Sequence, residues 1–166
     1  MAVENKYVNA DIVAGVKAVA AFSQGAQDYT AIIIFEVAVA DDDGSIYRLM
    51  KNIAPDMIIE SIEILNDAIT GGTDWDLGLY QNLDRGGAVI TVDRFVNGVD
   101  LSSARVHGAG FDGMTNVDIA NADDRIYEHA GDTLATRELG YDLALTANTV
   151  GAAAGTITVK IKFVQG

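Results

Sequence analysis

The acidic run Asp41-Asp42-Asp43-Gly44 is the first candidate for chemistry in the sequence. Hard cations such as Ca²⁺ prefer several carboxylate oxygens around one point, so this run resembles part of a calcium loop. The bidentate glutamate that such a loop requires is missing, because the chain continues Ser45-Ile46-Tyr47-Arg48. We therefore expect a solvated turn rather than a metal site here, and a metal site is disfavoured for the same reason at Asp74/Asp76 and at Asp123-Asp124. No cofactor is predicted.

The two histidines, His107 and His129, are the only imidazoles that an active site could use. Catalysis would need a nucleophile and an orienting acid beside one of them, and Ser102, Ser103 and Asp132 are the residues available for those roles. The sequence contains neither Gly-x-Ser-x-Gly nor His-x-x-x-His, and two isolated histidines do not supply a His/carboxylate metal triad. We therefore predict that the chain is not an enzyme, and we expect both histidines to be exposed or to cap turns.

Two glycine pairs and the single tryptophan carry weaker signals. Gly86-Gly87 and Gly108-Ala109-Gly110 resemble phosphate-binding glycines only superficially, because no Lys-Ser or Lys-Thr follows them. We expect both pairs to form turns. The strand pattern around Trp75 predicts that its ring faces the core, which weakens a sugar-binding interpretation.

Charge and composition exclude several classes of protein. The 166 residues include 11 Lys+Arg and 24 Asp+Glu, and the net charge of −13 opposes binding to nucleic acid or anionic lipid. The absence of cysteine removes disulfides, thiolate metal sites and thiol nucleophiles. A hydrophobic fraction of 49% and a mean hydropathy of +0.19 are sufficient for one domain with a real core. Neither a secretory signal nor a membrane-spanning stretch is predicted.

Basic side chains stand out against this acidic background. They could form ion pairs with carboxylates across a subunit boundary, and a solvated face explains them equally well. The residues concerned, in the middle third and on the last strand, are Arg85, Arg94, Arg105, Arg125, Arg137, Lys160 and Lys162.

The elements that would position these residues are mostly strands. Tyr29 to Ala40 is rich in Ile, Val and Phe with Glu36 as its only charge, which predicts a strand buried on both faces. Ile46 to Met50 resumes as a second strand after the acidic turn, so a hairpin is expected. Met57 to Leu65 predicts a third strand, whose proposed apolar face carries Ile58, Ile62 and Ile64.

Three later segments alternate in the manner of strands. Thr73 to Tyr80 predicts one buried and one wet face, with Asp76 and Tyr80 on the wet face. The segment from Tyr141 to Thr146 alternates in the same way. The closing strand from Thr156 to Val164 is the clearest, and the residues that it is predicted to turn inward are Ile157, Val159, Ile161 and Phe163.

The middle third, from Gln81 to Arg137, is irregular and rich in Gly, Asn and Asp. Val92 to Val96 predicts a single helical turn, and Asp123 to Ala130 predicts a short helix that Gly131 ends. Long ordered loops in an assembled β domain commonly reach a neighbouring subunit.

These segments together predict an all-β fold, a jelly-roll-like β-sandwich with long central loops carrying one or two short helices. We divide the chain into an N-terminal arm, residues 1–28, and a single β-sandwich domain, residues 29–166. A short helix from Asp11 to Lys17 is one interpretation of the arm. Its apolar side chains suit an interface better than solvent, and the proposed interface residues are Val13, Val16, Val19 and Phe22.

Several segments resemble the head decoration or cement proteins of tailed bacteriophages, which are small structural proteins with a jelly-roll-like fold. The residues that carry the resemblance are Tyr7 to Gly15, Gly44 to Leu49, Asn66 to Tyr80, Tyr141 to Asn148 and Gly151 to Val159. The resemblance is one of packing and turn motifs, so it brings no catalytic residues with it.

The resemblance implies a non-enzymatic virion structural protein that decorates and stabilises a bacteriophage head by binding the outer capsid surface as an oligomer. Its expected partners are the major capsid protein and further copies of itself, with a trimer as the expected oligomer. Its expected location is the head surface of the virion, and the host cytoplasm before assembly. Neither nucleic acid nor a membrane is an expected partner.

Two alternatives stay open at this point. A phage tail or fibre component would occupy a different place in the virion and form a slender trimer. A carbohydrate-binding jelly-roll module would carry an exposed aromatic pair. In the leading interpretation, deletion of residues 1–24 is expected to leave the sandwich folded and either to lower the oligomeric state or to abolish binding to the shell.

Overall fold

Segments rich in Ile, Val and Leu form β-strands through most of the chain that the computed structural model describes, residues 2–8 and 29–165. The strands are β1 (Asn5–Tyr7), β2 (Tyr29–Val37), β3 (Ser45–Ile53), β4 (Met57–Asn66), β5 (Asp74–Gln81), β6 (Val89–Val99), β7 (Phe111–Asp112), β8 (Tyr141–Thr149) and β9 (Gly155–Gln165). Within residues 2–8 and 29–165 the helices are short: two 3-10 turns, Leu83–Arg85 and Ile119–Asn121, and the α-helix α1, Ile126–His129.

The strands form two sheets that face each other. One sheet has the order β1-β3-β8-β5-β6 and the other has the order β2-β9-β4-β7. Strands β2 to β9 pair antiparallel within their sheets, and β1 adds to the edge of the first sheet in parallel with β3. Without the added β1, the eight antiparallel strands form two four-stranded sheets, and this strand order is that of a jelly roll. The predicted all-β sandwich is confirmed.

Inward-facing apolar side chains of both sheets form one core. The prediction for β9 is confirmed, because Ile157, Val159 and Ile161 are fully buried and Phe163 is 2% exposed. An aromatic stack crosses the space between the sheets, in which the ring of Tyr47 lies 5.3 Å from that of Phe35 and 5.6 Å from that of Trp75. The stack joins β2 of one sheet to β3 and β5 of the other.

The expected hairpin of the first two long strands is wrong. β2 pairs with β9, whereas β3 pairs with β1 and β8 in the opposite sheet. The connection at Asp41 to Gly44 therefore crosses between sheets, as jelly-roll connections do. The expectation that β2 is buried on both faces is also wrong, because Ile32 and Ile34 on its outer face are 59% and 61% exposed.

A β-bulge changes which isoleucines of β4 face the core. The register with β9 shifts between Ile59 and Ser61, so that Ile59, not Ile58, joins Ile62 and Ile64 in the interior. One extra residue in a strand moves every preceding side chain to the opposite face. The hydrophobic pattern of the segment does not reveal this insertion.

The predicted wet face of β5 is covered. Asp76 is 6% exposed and Tyr80 is 2% exposed, so this strand is buried on both sides. Gly78 makes the covering possible, since a Cβ atom at this position would overlap the backbone oxygens of Thr91 and Val92 on β6. The helical turn expected at Val92 to Val96 is likewise wrong, because these residues belong to β6 and cross over β5.

The short helix predicted at Asp123 to Ala130 is confirmed in part as α1, and Gly131 ends it with a left-handed φ of 76°. The helix begins after Arg125, whose backbone N–H donates to the Glu128 carboxylate at 2.7 Å. This first-turn carboxylate stabilises the start of the helix in the usual way.

Three connections gather at one end of the sandwich, which we call the long-loop end: residues 54–56, 82–88 and 113–140. A backbone hydrogen bond from Tyr127 to Pro55 of 3.2 Å and an ion pair between Arg137 and Asp56 of 2.6 Å join the first connection to the third, and an ion pair between Arg85 and Glu138 of 2.7 Å joins the second to the third. β1 runs towards the long-loop end and β2 starts there. The division into an arm and one sandwich domain stays a prediction.

Candidate functional site

The acidic turn at Asp41 to Gly44 is part of the framework. Asp41 is buried, and its Oδ2 accepts hydrogen bonds from Tyr47 Oη at 2.7 Å and from the Ala38 backbone at 3.1 Å. Burial and the neighbouring Asp41 carboxylate together raise the pKa of Tyr47. The Asp43 carboxylate accepts from the backbone N–H of Val150 at 2.9 Å. The turn therefore positions two loops, and only part of it is solvated as expected.

The other acidic pairs are also occupied by framework donors. Asp76 accepts from the backbone of Gly98 at 2.9 Å and from the Asn148 amide at 2.7 Å. Asp124 accepts from the Asn121 amide at 2.8 Å. Across residues 2–8 and 29–165, no group of three or more His, Asp or Glu side chains is arranged to hold a metal ion.

The two histidines occupy different environments. His107 is exposed as expected, but His129 is only 3% exposed, so the expectation of an exposed or capping residue is wrong for His129. Its Nδ1 accepts a hydrogen bond of 3.0 Å from Arg94 Nε, and its ring meets the edge of Phe95 at 5.2 Å. Burial, together with the positive charge of Arg94, lowers the pKa of His129.

The residues available for a hydrolytic site do not assemble into one. Asp132 accepts from Tyr141 Oη at 2.5 Å instead of orienting a histidine. The backbone N–H of Ser102 donates to Asp100 at 2.8 Å, within a turn. Each of these polar groups therefore stabilises a loop.

The chemistry that the sequence analysis missed is a buried ion pair between Arg48 of β3 and Asp142 of β8. Arg48 Nη1 lies 2.9 Å from Asp142 Oδ2. Arg48 also donates from Nε to Asn5 at 2.9 Å and from Nη2 to the Gly87 carbonyl at 2.7 Å. The signal was an arginine in the middle of an apolar strand, where an unpaired charge would be costly.

Further polar groups surround this ion pair. Tyr7 Oη donates to Asp142 Oδ2 at 2.7 Å, and burial followed by this hydrogen bond raises the pKa of Tyr7. The backbone N–H of Asn52 donates to Asp142 Oδ1 at 3.0 Å. The pair therefore ties β1, β3, β8 and the loop at Gly87 together. Gly86 and Gly87 have positive φ and form a turn, as does Gly108, so the turn interpretation is confirmed.

Most of the basic residues considered for subunit boundaries have partners within the chain. Arg85 pairs with Glu138 at 2.7 Å, and Lys160 pairs with Glu63 at 2.9 Å. The Arg105 guanidinium lies 5.2 Å from the centre of the Phe111 ring. The arginines therefore hold the central loops against the sandwich.

Exposed apolar side chains are the remaining candidates for function. Three of them belong to residues 113–140 at the long-loop end: Ile119 is 95% exposed, Leu139 is 85% exposed and Leu134 is 67% exposed. Ile32 and Ile34 form a second group on the outer face of β2. Apolar side chains gathered on a soluble domain commonly mark an interaction surface.

The proposed interface residues Val13, Val16, Val19 and Phe22, and the short helix considered at Asp11 to Lys17, lie outside the described residues. Within the part of the chain that is described, there is no helix with the length and apolar character needed to cross a membrane.

No family model and no curated protein matches the sequence. Two solved structures share the fold. A chain from "Capsid of Ralstonia phage GP4" has a TM-score of 0.63 and 11% identity, and the match covers 97% of this chain and 99% of that chain. A chain from "Cyanophage Pam1 capsid asymmetric unit" has a TM-score of 0.52 and 11% identity, with 92% and 96% covered. At this identity the likeness is one of fold, extending over whole chains of about the same length.

Proposed function

We propose that this chain is a non-enzymatic structural protein of a bacteriophage virion, which decorates and stabilises the head by binding the outer capsid surface as an oligomer. The observation that carries the proposal is the correspondence over nearly the whole chain with a chain in a phage capsid structure. A small single-domain chain that accompanies a capsid fits the role of an accessory component. The segments that resemble decoration proteins support the same role.

The chemistry of the described residues supports a structural role. The carboxylates of Asp41, Asp76 and Asp142 accept hydrogen bonds from framework donors, and the buried His129 accepts from Arg94. An active site would instead need such groups to converge on a cleft. These side chains are used to fix loops and strands in place.

The surface supports assembly onto a larger partner. A net charge of −13 keeps free copies apart and away from nucleic acid before assembly in the host cytoplasm. The long-loop end carries the exposed apolar residues Ile119, Leu134 and Leu139, and β1 points towards that end while β2 begins there. We propose that this end contacts the major capsid protein and neighbouring copies, and that the arm residues Val13, Val16, Val19 and Phe22 contribute to a trimer.

Location within the particle tests the proposal most directly. Virions from the encoding phage or prophage would be separated into heads and tails, and each fraction would be probed by mass spectrometry and by immunogold electron microscopy. We expect the protein on the outside of heads. Labelling of tails would support the tail or fibre alternative, and absence from both fractions would contradict a virion role.

The solution mass of the purified protein tests the oligomer. We expect light scattering to give a trimer whose mass is unchanged by a chelator. A variant with residues 10–23 replaced by a flexible linker of equal length is expected to lose that trimer. A monomeric native protein would contradict preformed assembly, and a mass that changes with chelator would indicate that a cation occupies an acidic cluster.

The carbohydrate-binding alternative receives no support from the tryptophan of this chain. Trp75, the single tryptophan, is fully buried between the sheets and stacks on Tyr47. Sugar binding at an exposed tryptophan is therefore excluded. A glycan array with the full chain would detect any other saccharide site.

A further inference from the structure

Strand β2 offers a long, regular edge for pairing. It stands first in the sheet β2-β9-β4-β7, and among the described residues β9 is its one strand neighbour. The register with β9 runs without a bulge from Tyr29↔Phe163 to Val37↔Gly155. In such a ladder the N–H and C=O groups of alternate residues point away from the paired strand. An edge of this kind is a template for another strand.

The other three sheet edges have protective features that the sequence of β2 lacks. β1 has three residues and β7 has two, so neither offers a long ladder. β6 is interrupted by register shifts against β5 and carries the charges of Asp93 and Arg94. β2 has no proline and no lysine, and Glu36 is its only charge. Short strands, bulges and charges are the usual means of blocking edge pairing.

The sequence of β2 is suited to pairing with a copy of itself. Ile33 is the central residue of Tyr29–Val37 and is flanked by Ile32 and Ile34, which both face outward. We propose that two copies of this chain associate through antiparallel pairing of their β2 strands, about a two-fold axis at Ile33. Ile32 of each copy then lies opposite Ile34 of the other, and the two sheets become one continuous sheet.

Charge complementarity supports the same register. Thr30 lies opposite Glu36 of the partner subunit, and on its other side Thr30 neighbours Lys162 of β9. Strands two apart in a sheet are separated by about 10 Å, which extended Lys and Glu side chains can span. Lys160 is already paired with Glu63, whereas Lys162 and Glu36 are exposed and take part in no ion pair of the described residues.

This interface is separate from the proposed function. It follows from the geometry of β2 and makes no use of the arm, of the long-loop end or of a capsid. A two-fold contact of this kind can also join oligomers that are closed by another interface. The β2 contact and the proposed trimer therefore succeed or fail independently.

Disulfide trapping tests the register, because the native chain has no cysteine. In the proposed pairing, positions 32 and 34 of different copies are directly opposite, with Cβ atoms about 4.5–5.5 Å apart, whereas two copies of position 32 are diagonal and about 7–8 Å apart. Disulfides need the shorter separation. We expect an equimolar mixture of Ile32→Cys and Ile34→Cys proteins to cross-link several-fold faster than either alone. Equal or absent cross-linking would overturn the proposal.

Charge substitution tests the association itself by sedimentation equilibrium. The Ile32→Lys/Ile34→Lys and Ile32→Glu/Ile34→Glu proteins are each expected to lose the two-fold contact, and their mixture is expected to regain it, since every Lys then faces a Glu. Both positions are exposed, so circular dichroism should show intact folding. Val89→Lys, on the β6 edge and 57% exposed in the native chain, is the control expected to change nothing. Unchanged mass in both double variants would overturn the proposal.

Discussion

Arg48 and Asp142 form an ion pair that is wholly inside the molecule. The distance from Arg48 Nη1 to Asp142 Oδ2 is 2.9 Å, and both side chains are 0% exposed. Arg48 Nη1 also donates to the Gln81 carbonyl at 2.8 Å. Because the two charges are paired with each other and hydrogen-bonded to surrounding groups, the interior tolerates them. The pair lies between the first sheet and its outer loops, so it holds the loops against the sheet.

Removing one charge of this pair is expected to be costly. Asp142→Asn leaves the Arg48 guanidinium buried without a counter-charge, and we expect the free energy of unfolding to fall by about 3–5 kcal/mol. Urea unfolding measures this directly. Asp84→Asn is the matched control, because it breaks a surface ion pair with Lys51 in which the Asp84 side chain is 75% exposed, and it should cost less than about 1 kcal/mol. Equal losses for the two variants would contradict the assigned role.

Gly78 is predicted to be the least replaceable glycine of the sandwich. In Gly78→Ala the new methyl group would meet the backbone of Thr91 and Val92, so β6 would have to move away from β5. We expect a loss of about 3 kcal/mol or more in urea unfolding. Gly108→Ala is the matched control, since its φ is +85° but no atom lies within 4 Å, and it should cost about 1 kcal/mol. A smaller loss at Gly78 than at Gly108 would refute the close approach.

His129 is expected to make stability fall in mild acid. Its pKa is lowered in the folded state, so between that value and about 6.5 the unfolded chain binds the extra proton, and the free energy of unfolding decreases as the pH falls. The lowered pKa values of Glu63 and Asp100 place their effects at more acidic pH. From pH 6.5 to 5.5 the native protein should lose up to about 1.4 kcal/mol more than His129→Gln. Identical pH dependence of the free energy of unfolding in the native protein and in His129→Gln would contradict a contribution from His129.

Residues 2–8 are expected to stabilise the sandwich independently of the rest of the arm, residues 9–28. Asn5 and Tyr7 hydrogen-bond to Arg48 and Asp142, so deletion of residues 1–24 would unfold or weaken the domain, contrary to what the sequence suggested. Replacing residues 10–23 alone should leave the midpoint of thermal unfolding within a few degrees of the native value. A large drop on that replacement would mean that the arm supports the fold itself.

Much of the fold follows from two-residue periodicity. The closing strand β9 is predictable because one face is apolar and the other carries Thr158, Lys160 and Lys162, which leaves a single burial pattern. β5 misleads for the opposite reason, since Asp76 and Tyr80 look solvent-facing until β6 and the outer loops cover them. The alternation of apolar and polar residues shows which face of a strand is turned towards the core. It does not show whether other strands or loops cover the opposite face.

The pairing of strands is also beyond local sequence. A turn after β2 suggests a hairpin, yet β2 pairs with β9, which is more than a hundred residues further along the chain. Arg48 and Asp142 are likewise joined only by the strand order, so neither residue alone predicts the other. The exposure of Ile32 and Ile34 is equally hard to predict from the sequence, because both look like core residues until the position of β2 in its sheet is known.

The central position of the last strand has a consequence for synthesis. β9 lies between β2 and β4, so a ribosome-bound chain whose β9 is still in the exit tunnel has two unpaired strand edges and cannot complete that sheet. Folding of this domain must therefore wait until β9 has emerged, and chains interrupted before β9 are liable to aggregate or to be degraded. The order of the strands thus makes closure of the sandwich depend on a strand that is synthesised after the other eight.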